Sequence, residues 1–85
     1  MEFNVLVEKK AVKQLSELEP NINRRIIETL NELRKGFSAR LDIKKMKGLH
    51  NHYRVRVGDY RILFEARLGK QIVIYAVLPR KVLVD

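Results

Sequence analysis

The chain has 85 residues, 46% of them hydrophobic and 33% charged, with a formal net charge of +8 at pH 7 and no cysteine. That length suffices for one core but not two, so a single domain over residues 1–85 is expected; the composition excludes a disordered tail, and the missing thiols exclude a disulfide framework or thiolate metal site. No apolar run approaches the roughly 20 residues needed to span a bilayer, and the opening MEFNVLVEKK lacks the basic start of a secretory leader, so a cytoplasmic protein away from membranes is expected.

In chain order, Phe3, Val5 and Val7 alternate with Asn4, Leu6 and Glu8, which predicts a first strand over residues 2–8. Ala11, Leu15 and Leu18 recur at helical spacing and predict a short helix over 9–19. Pro20 suits the first turn of a second helix, along which Ile22, Ile26, Leu30, Leu33 and Phe37 form one apolar stripe. Arg24, Arg25, Glu28, Asn31, Glu32 and Lys35 occupy the opposite side, and Gly36 is placed to end the helix. This helix pair reads as scaffold. Residues 38–51, SARLDIKKMKGLHN, have no clean period and read as a loop with one irregular edge.

HYRVRVGDYRILFEAR then reads as a hairpin, with Gly58-Asp59 as its two-residue turn. After Leu68-Gly69-Lys70, QIVIYAVL is apolar on both faces, as a central strand should be. Pro79-Arg80 breaks that strand, and KVLV can form a short terminal one. The order is β-α-α-β-β-β with a possible fifth strand: an α+β fold in which two helices cover one face of a twisted, antiparallel, four- to five-stranded sheet.

The positive charge is uneven. Residues 1–39 carry seven Lys/Arg against six Asp/Glu, whereas residues 40–85 carry eleven against four. A concentrated basic surface on a small domain commonly meets nucleic acid; the plain alternative is a solvated basic face that binds nothing. The hairpin sharpens the choice. A turn at Gly58-Asp59 pairs Val57 with Tyr60, Arg56 with Arg61, Val55 with Ile62 and Arg54 with Leu63. Tyr53, Val55, Val57, Tyr60, Ile62 and Phe64 then face the helices, and Arg54, Arg56 and Arg61 share the other, open face.

Like charges opposite one another across a ladder cost up to about 1 kcal/mol, so stability alone does not select this pattern. Guanidinium groups grip phosphate through two parallel hydrogen bonds. Asp59 and Glu65 are too few to neutralise three arginines plus Lys44, Lys45 and Lys47. Arg80 can join the same face from the side. No phosphate-loop or dinucleotide glycine motif is present. His50 and His52 show no ligand pattern with a carboxylate, and Ser16 and Ser38 have no base partner; neither a metal nor a cofactor is expected.

KMKGLHNHYRVRVGDYRILFEA, residues 45–66, with IVIYAVLPRK, residues 72–81, resembles the RelE/ParE toxin superfamily, and its RelE branch most closely. The resemblance implies a helical hairpin on a twisted antiparallel sheet and a metal-independent, ribosome-dependent endoribonuclease that cuts translated mRNA in the A site. In such a cut the 2′-hydroxyl attacks the adjacent phosphate and leaves a 2′,3′-cyclic end.

It implies catalytic roles for Arg54, Arg56, Arg61 and Arg80, with Lys44, Lys45, Lys47, His52 and Lys81 binding RNA. It also implies a RelB-like antitoxin, with the toxin a monomer when free and a heterodimer or heterotetramer when bound. The chain departs from the better-known bacterial pattern by having Arg54 and Arg56 where some relatives have lysine, and by ending KVLVD without the tyrosine that relatives often carry near that point. Acid–base work then falls to Lys47, His52, Tyr75, Lys81 or the ribosome, and weakened catalysis is expected. A ParE-like gyrase inhibitor and a non-catalytic RNA-binding module are the alternatives.

Overall fold

The computed structural model describes residues 2–79. Seven elements follow in order: β1 (Asn4–Val7), α1 (Lys9–Ser16), α2 (Pro20–Arg34), β2 (Asp42–Lys45), β3 (His52–Val57), β4 (Tyr60–Arg67) and β5 (Gln71–Pro79). They build one five-stranded sheet in the order β1-β5-β4-β3-β2.

The helices form where the apolar spacing requires. Ala11 and Leu15 bury one face of α1, while Ile26, Leu30 and Leu33 bury one face of α2. Pro20 occupies the first turn of α2, where its missing N–H loses no helical bond. Gly36, at φ 118°, closes the other end by donating its N–H to the Leu33 carbonyl at 3.0 Å. Helix α1 is shorter than its periodicity suggests. It stops at Ser16, and the Leu18 N–H folds back to the Leu15 carbonyl at 3.1 Å, which keeps Leu18 against the core without a further helical turn.

The β3–β4 hairpin has the expected register throughout, from Val57↔Tyr60 to His52↔Glu65. Strand β5 lies inside the sheet, as its two apolar faces require. Two features differ from expectation. Strand β1 joins β5 in parallel, so the sheet is mixed rather than wholly antiparallel. Successive hairpins alternate the direction of β2 to β5, and the helix pair carries the chain from one edge of the sheet to the other, which leaves β1 running with β5. Among the described residues the fifth strand is β2: the stretch read as a loop pairs Ile43 with Val55 along β3. The KVLV segment lies outside the described residues.

Among the described residues, no strand lies beside the outer edge of β5 beyond Val7. Gln14 of α1 covers that edge by accepting the Val77 backbone N–H at 2.7 Å. Opposite this point the β4–β5 ladder slips: Leu63 pairs with Ala76 but Phe64 with Ile74, so Tyr75 is the extra residue of a bulge.

The core lies between the helices and one sheet face, and Ile26, Leu33, Val55, Ile62, Phe64, Ile72 and Ile74 are fully enclosed there. Phe37, expected on the α2 stripe, sits beyond the helix. From there it reaches Phe3, Tyr53 and Phe64 at ring-centroid distances of 6.0, 5.0 and 5.6 Å. Truncating Phe64 to alanine therefore removes the centre of this packing, with an expected loss of about 3–5 kcal/mol in urea unfolding. Leu68→Ser, at a residue 97% exposed, should leave the midpoint in place.

Candidate functional site

Alternation along paired strands determines what the open face carries. Lys44 lies beside Arg54, and Asp42 beside Arg56, across the β2–β3 ladder. Arg56 stands opposite Arg61, and His52 opposite Glu65, across β3–β4. Residues paired in this way share a face, so Lys44, Arg54, Arg56 and Arg61 form a cationic cluster turned away from the core, with Asp42 and Glu65 at its borders. Of the basic residues singled out from sequence, Lys45 pairs with Tyr53 and so belongs to the helix-side face. Lys47 is exposed in the turn after β2. Arg80 and Lys81 lie outside the described residues.

The three hairpin arginines are not alike. Arg56 is exposed, and its Nε donates to the Gly58 carbonyl at 3.4 Å. Arg61 is buried, with 9% of its surface accessible, which corrects the expectation of an exposed side chain. Its neighbours explain the difference. Arg61 lies in the interior strand β4 between Arg56 and Leu78, with Leu63, itself buried, on the same face. Arg54 and Arg61 are each held by interactions within the chain.

At the far end of the face, side chains from three strands meet. Tyr75 Oη and His52 Nδ1 are 2.8 Å apart, and His52 Nε2 is 3.9 Å from Glu65 Oε2. Arg67 Nε donates to the other Glu65 oxygen at 2.8 Å, which fixes the carboxylate. Burial, and then the charge of Glu65, raise the Tyr75 pKa above its ordinary value, so at neutral pH the phenol keeps its proton; the imidazole tautomer sets which of Tyr75 Oη and His52 Nδ1 is the donor. The bulge at Tyr75 lets this side chain reach over β4 to β3. Sequence reasoning named His52 and Tyr75 separately and missed Glu65, although the hairpin register already sets residue 65 opposite residue 52.

A groove of about 620 Å³ lies between α2 and the β2–β3 side of the sheet. It is lined by Arg25, Arg40 and Arg56 but also by Glu28, Glu32 and Asp42. Cations and carboxylates balance there, so the groove offers no net attraction for a phosphate. The open face is the better anion surface. Among the described residues no cluster of three or more His, Asp or Glu is arranged to hold a metal.

Residues 5–83 match the family described as the ParE toxin of type II toxin–antitoxin systems, parDE. The chain is 43% identical to Toxin RelE3 of Methanocaldococcus jannaschii, over 98% of this chain and 97% of that one. Among solved structures it is similar to the RelB–RelE antitoxin–toxin complex of Methanococcus jannaschii, with 41% identity, a TM-score of 0.79, and coverage of 91% of this chain and 92% of that chain. It is also similar to the RelE–RelB complex of Pyrococcus horikoshii OT3, with 30% identity, a TM-score of 0.82, and coverage of 94% and 97%.

The contrast between the arginines has a measurable consequence for stability. Arg56→Ala should change the unfolding free energy by no more than about 0.5 kcal/mol, as exposed substitutions do. Arg61→Ala strips a buried group from its partners and should cost more than about 1 kcal/mol. Equal urea midpoints for the two variants would contradict the difference in burial.

Proposed function

Because the chain belongs to the RelE/ParE toxin superfamily, as a RelE-type member, we propose that it is a ribosome-dependent endoribonuclease that cuts translated mRNA in the A site and so inhibits translation. At the coarser level it is the toxin of a toxin–antitoxin system, with a RelB-type antitoxin as its partner. The ribosome and mRNA are the further partners of the proposed activity.

The observation that carries this reading is the grouping of Lys44, Arg54, Arg56 and Arg61 on the sheet face opposite the helices. Such a face suits a sugar–phosphate chain laid across the strands. In the cut, the 2′-oxygen bonds to the adjacent phosphorus and the bond from phosphorus to the 5′-oxygen breaks. The phosphoryl oxygens gain negative charge as this happens, and fixed guanidinium groups stabilise that charge more than they stabilise the ground state. Arg61 is held in place before substrate arrives, which lowers the reorganisation needed during reaction. Arginine does not lose its proton at working pH, so Arg54 and Arg56 act as clamps and not as bases.

The test is expression of the chain in translating cells or extracts, with mapping of transcript ends. Breaks should fall within codons of translated messages and be absent from the same transcripts without a start codon. Arg56→Ala should lower the cleavage rate by about 10²–10³-fold, the usual effect of losing one transition-state donor. DNA breakage with intact mRNA would instead identify a gyrase inhibitor, and RNA binding without any cut would identify a non-catalytic module.

A further inference from the structure

The clamp arginines leave proton transfer unassigned, and the far end of the same face holds groups suited to it. We infer that Tyr75, His52 and Glu65 form the proton relay of the cleavage reaction, with Tyr75 Oη meeting the 2′-hydroxyl of the RNA, His52 accepting the proton and Glu65 positioning His52. This inference rests on the ribonuclease reading and assigns residues to its missing step.

The geometry supplies the argument. His52 belongs to β3 and Tyr75 to β5, with β4 between them, so their 2.8 Å contact is made above the sheet rather than along a ladder. Two strand spacings separate their backbones by roughly 9–10 Å, which only inward-leaning side chains on one face can close. The rings meet edge to face, with centroids 5.4 Å apart. Glu65 completes the line on the other side of the imidazole, and its second oxygen is tied to Arg67.

None of this serves the hydrophobic core, which lies on the opposite face of the sheet. The His52 and Glu65 side chains retain 25% and 30% of their accessible surface, so the line is shielded without being sealed from substrate. His52 is two residues from Arg54 on the same face of the same strand, about 7 Å away along it. A phosphate held by Arg54 thus brings its neighbouring sugar to the relay. The charged and titratable groups around the imidazole are Glu65 and Arg67 from β4, Tyr75 from β5, Lys44 from β2 and Arg54 from β3; Met46, after β2, adds its sulfur 3.8 Å from Tyr75 Oη.

The step balances as follows. The 2′-hydroxyl gives its proton to Tyr75 Oη while the phenolic proton passes to His52 Nδ1, and the freed 2′-oxygen bonds to phosphorus. The imidazolium so formed has its Nε2–H turned toward Glu65, whose negative charge stabilises it. The departing 5′-oxygen takes a proton from water, and the imidazolium returns its own proton to the resulting hydroxide. The products are a 2′,3′-cyclic phosphate and a 5′-hydroxyl, and all three side chains regain their starting states.

The experiment measures single-turnover cleavage of mRNA on programmed ribosomes against pH, for the wild type and for Tyr75→Phe, His52→Gln and Glu65→Gln, with urea unfolding of each variant alongside. Tyr75→Phe removes one oxygen and should slow cleavage at pH 7 by about 10²-fold or more, the usual contribution of general acid–base catalysis. His52→Gln should show a similar loss and should also abolish the acid limb of the pH–rate profile. Glu65→Gln should lower the maximal rate while leaving half-saturation unchanged. If the wild type cleaves and the variants keep its rate and pH profile, the relay is overturned and the ribonuclease reading stands. If losses of rate are matched by losses of unfolding free energy while the acid limb survives in His52→Gln, the three residues are structural and the relay is again overturned. A wild type that cuts nothing at any pH overturns both.

Discussion

The architecture depends on the register of one hairpin. The two-residue turn at Gly58-Asp59 pairs Val57 with Tyr60, and everything upstream and downstream follows with period two. On one face Val55, Ile62 and Phe64 disappear under the helices; on the other Arg54, Arg56, Arg61, His52 and Glu65 are gathered. A slip of one residue would drive the arginines into the core and the apolar side chains into water. Gly58, at φ 58°, adopts the left-handed turn backbone that this register needs. The helix-side core and the placement of the arginine face are therefore specified by the same few turn atoms, and the juxtaposition of Arg56 with Arg61 falls on the face opposite that core.

Much of this was legible in the sequence because the signals are local. The alternation of Phe3, Val5 and Val7, the stripe from Ile22 to Leu33 and the hairpin all come from short-range periodicity, and the structure has them where the pattern puts them. The differences arise where non-local pairing decides. Asp42–Lys45 offers one apolar side chain to the helix-side face, Ile43, which is too little for a periodic signal, and it becomes a strand because β3 presents a free ladder beside it. The parallel junction of β1 with β5 joins segments some 67 positions apart (Asn4↔Gln71), and nothing within either strand announces the partner's direction.

The site divides in the same way. The shared face of Arg54, Arg56 and Arg61 and the Glu65–His52 pairing are consequences of register and can be counted from the turn. The burial of Arg61 is not, because it depends on β5 and on Leu63 and Leu78 closing around an interior strand. Nor is the reach of Tyr75 to His52, which needs a bulge that the apolar run IVIYAVL does not mark. That bulge joins fold to chemistry. It breaks the ladder at one residue, and that residue carries the phenol that meets the imidazole across β4.

The central claim is that the sheet face opposite the helices receives the RNA backbone. The most direct measurement is the structure of the chain bound to an mRNA-programmed ribosome. The account predicts β3 and β4 turned toward the message, with guanidinium groups of Arg56 and its neighbours within hydrogen-bonding distance, roughly 3 Å, of phosphate oxygens. A complex in which the helical hairpin meets the RNA, while the arginine face looks into solvent, would contradict it.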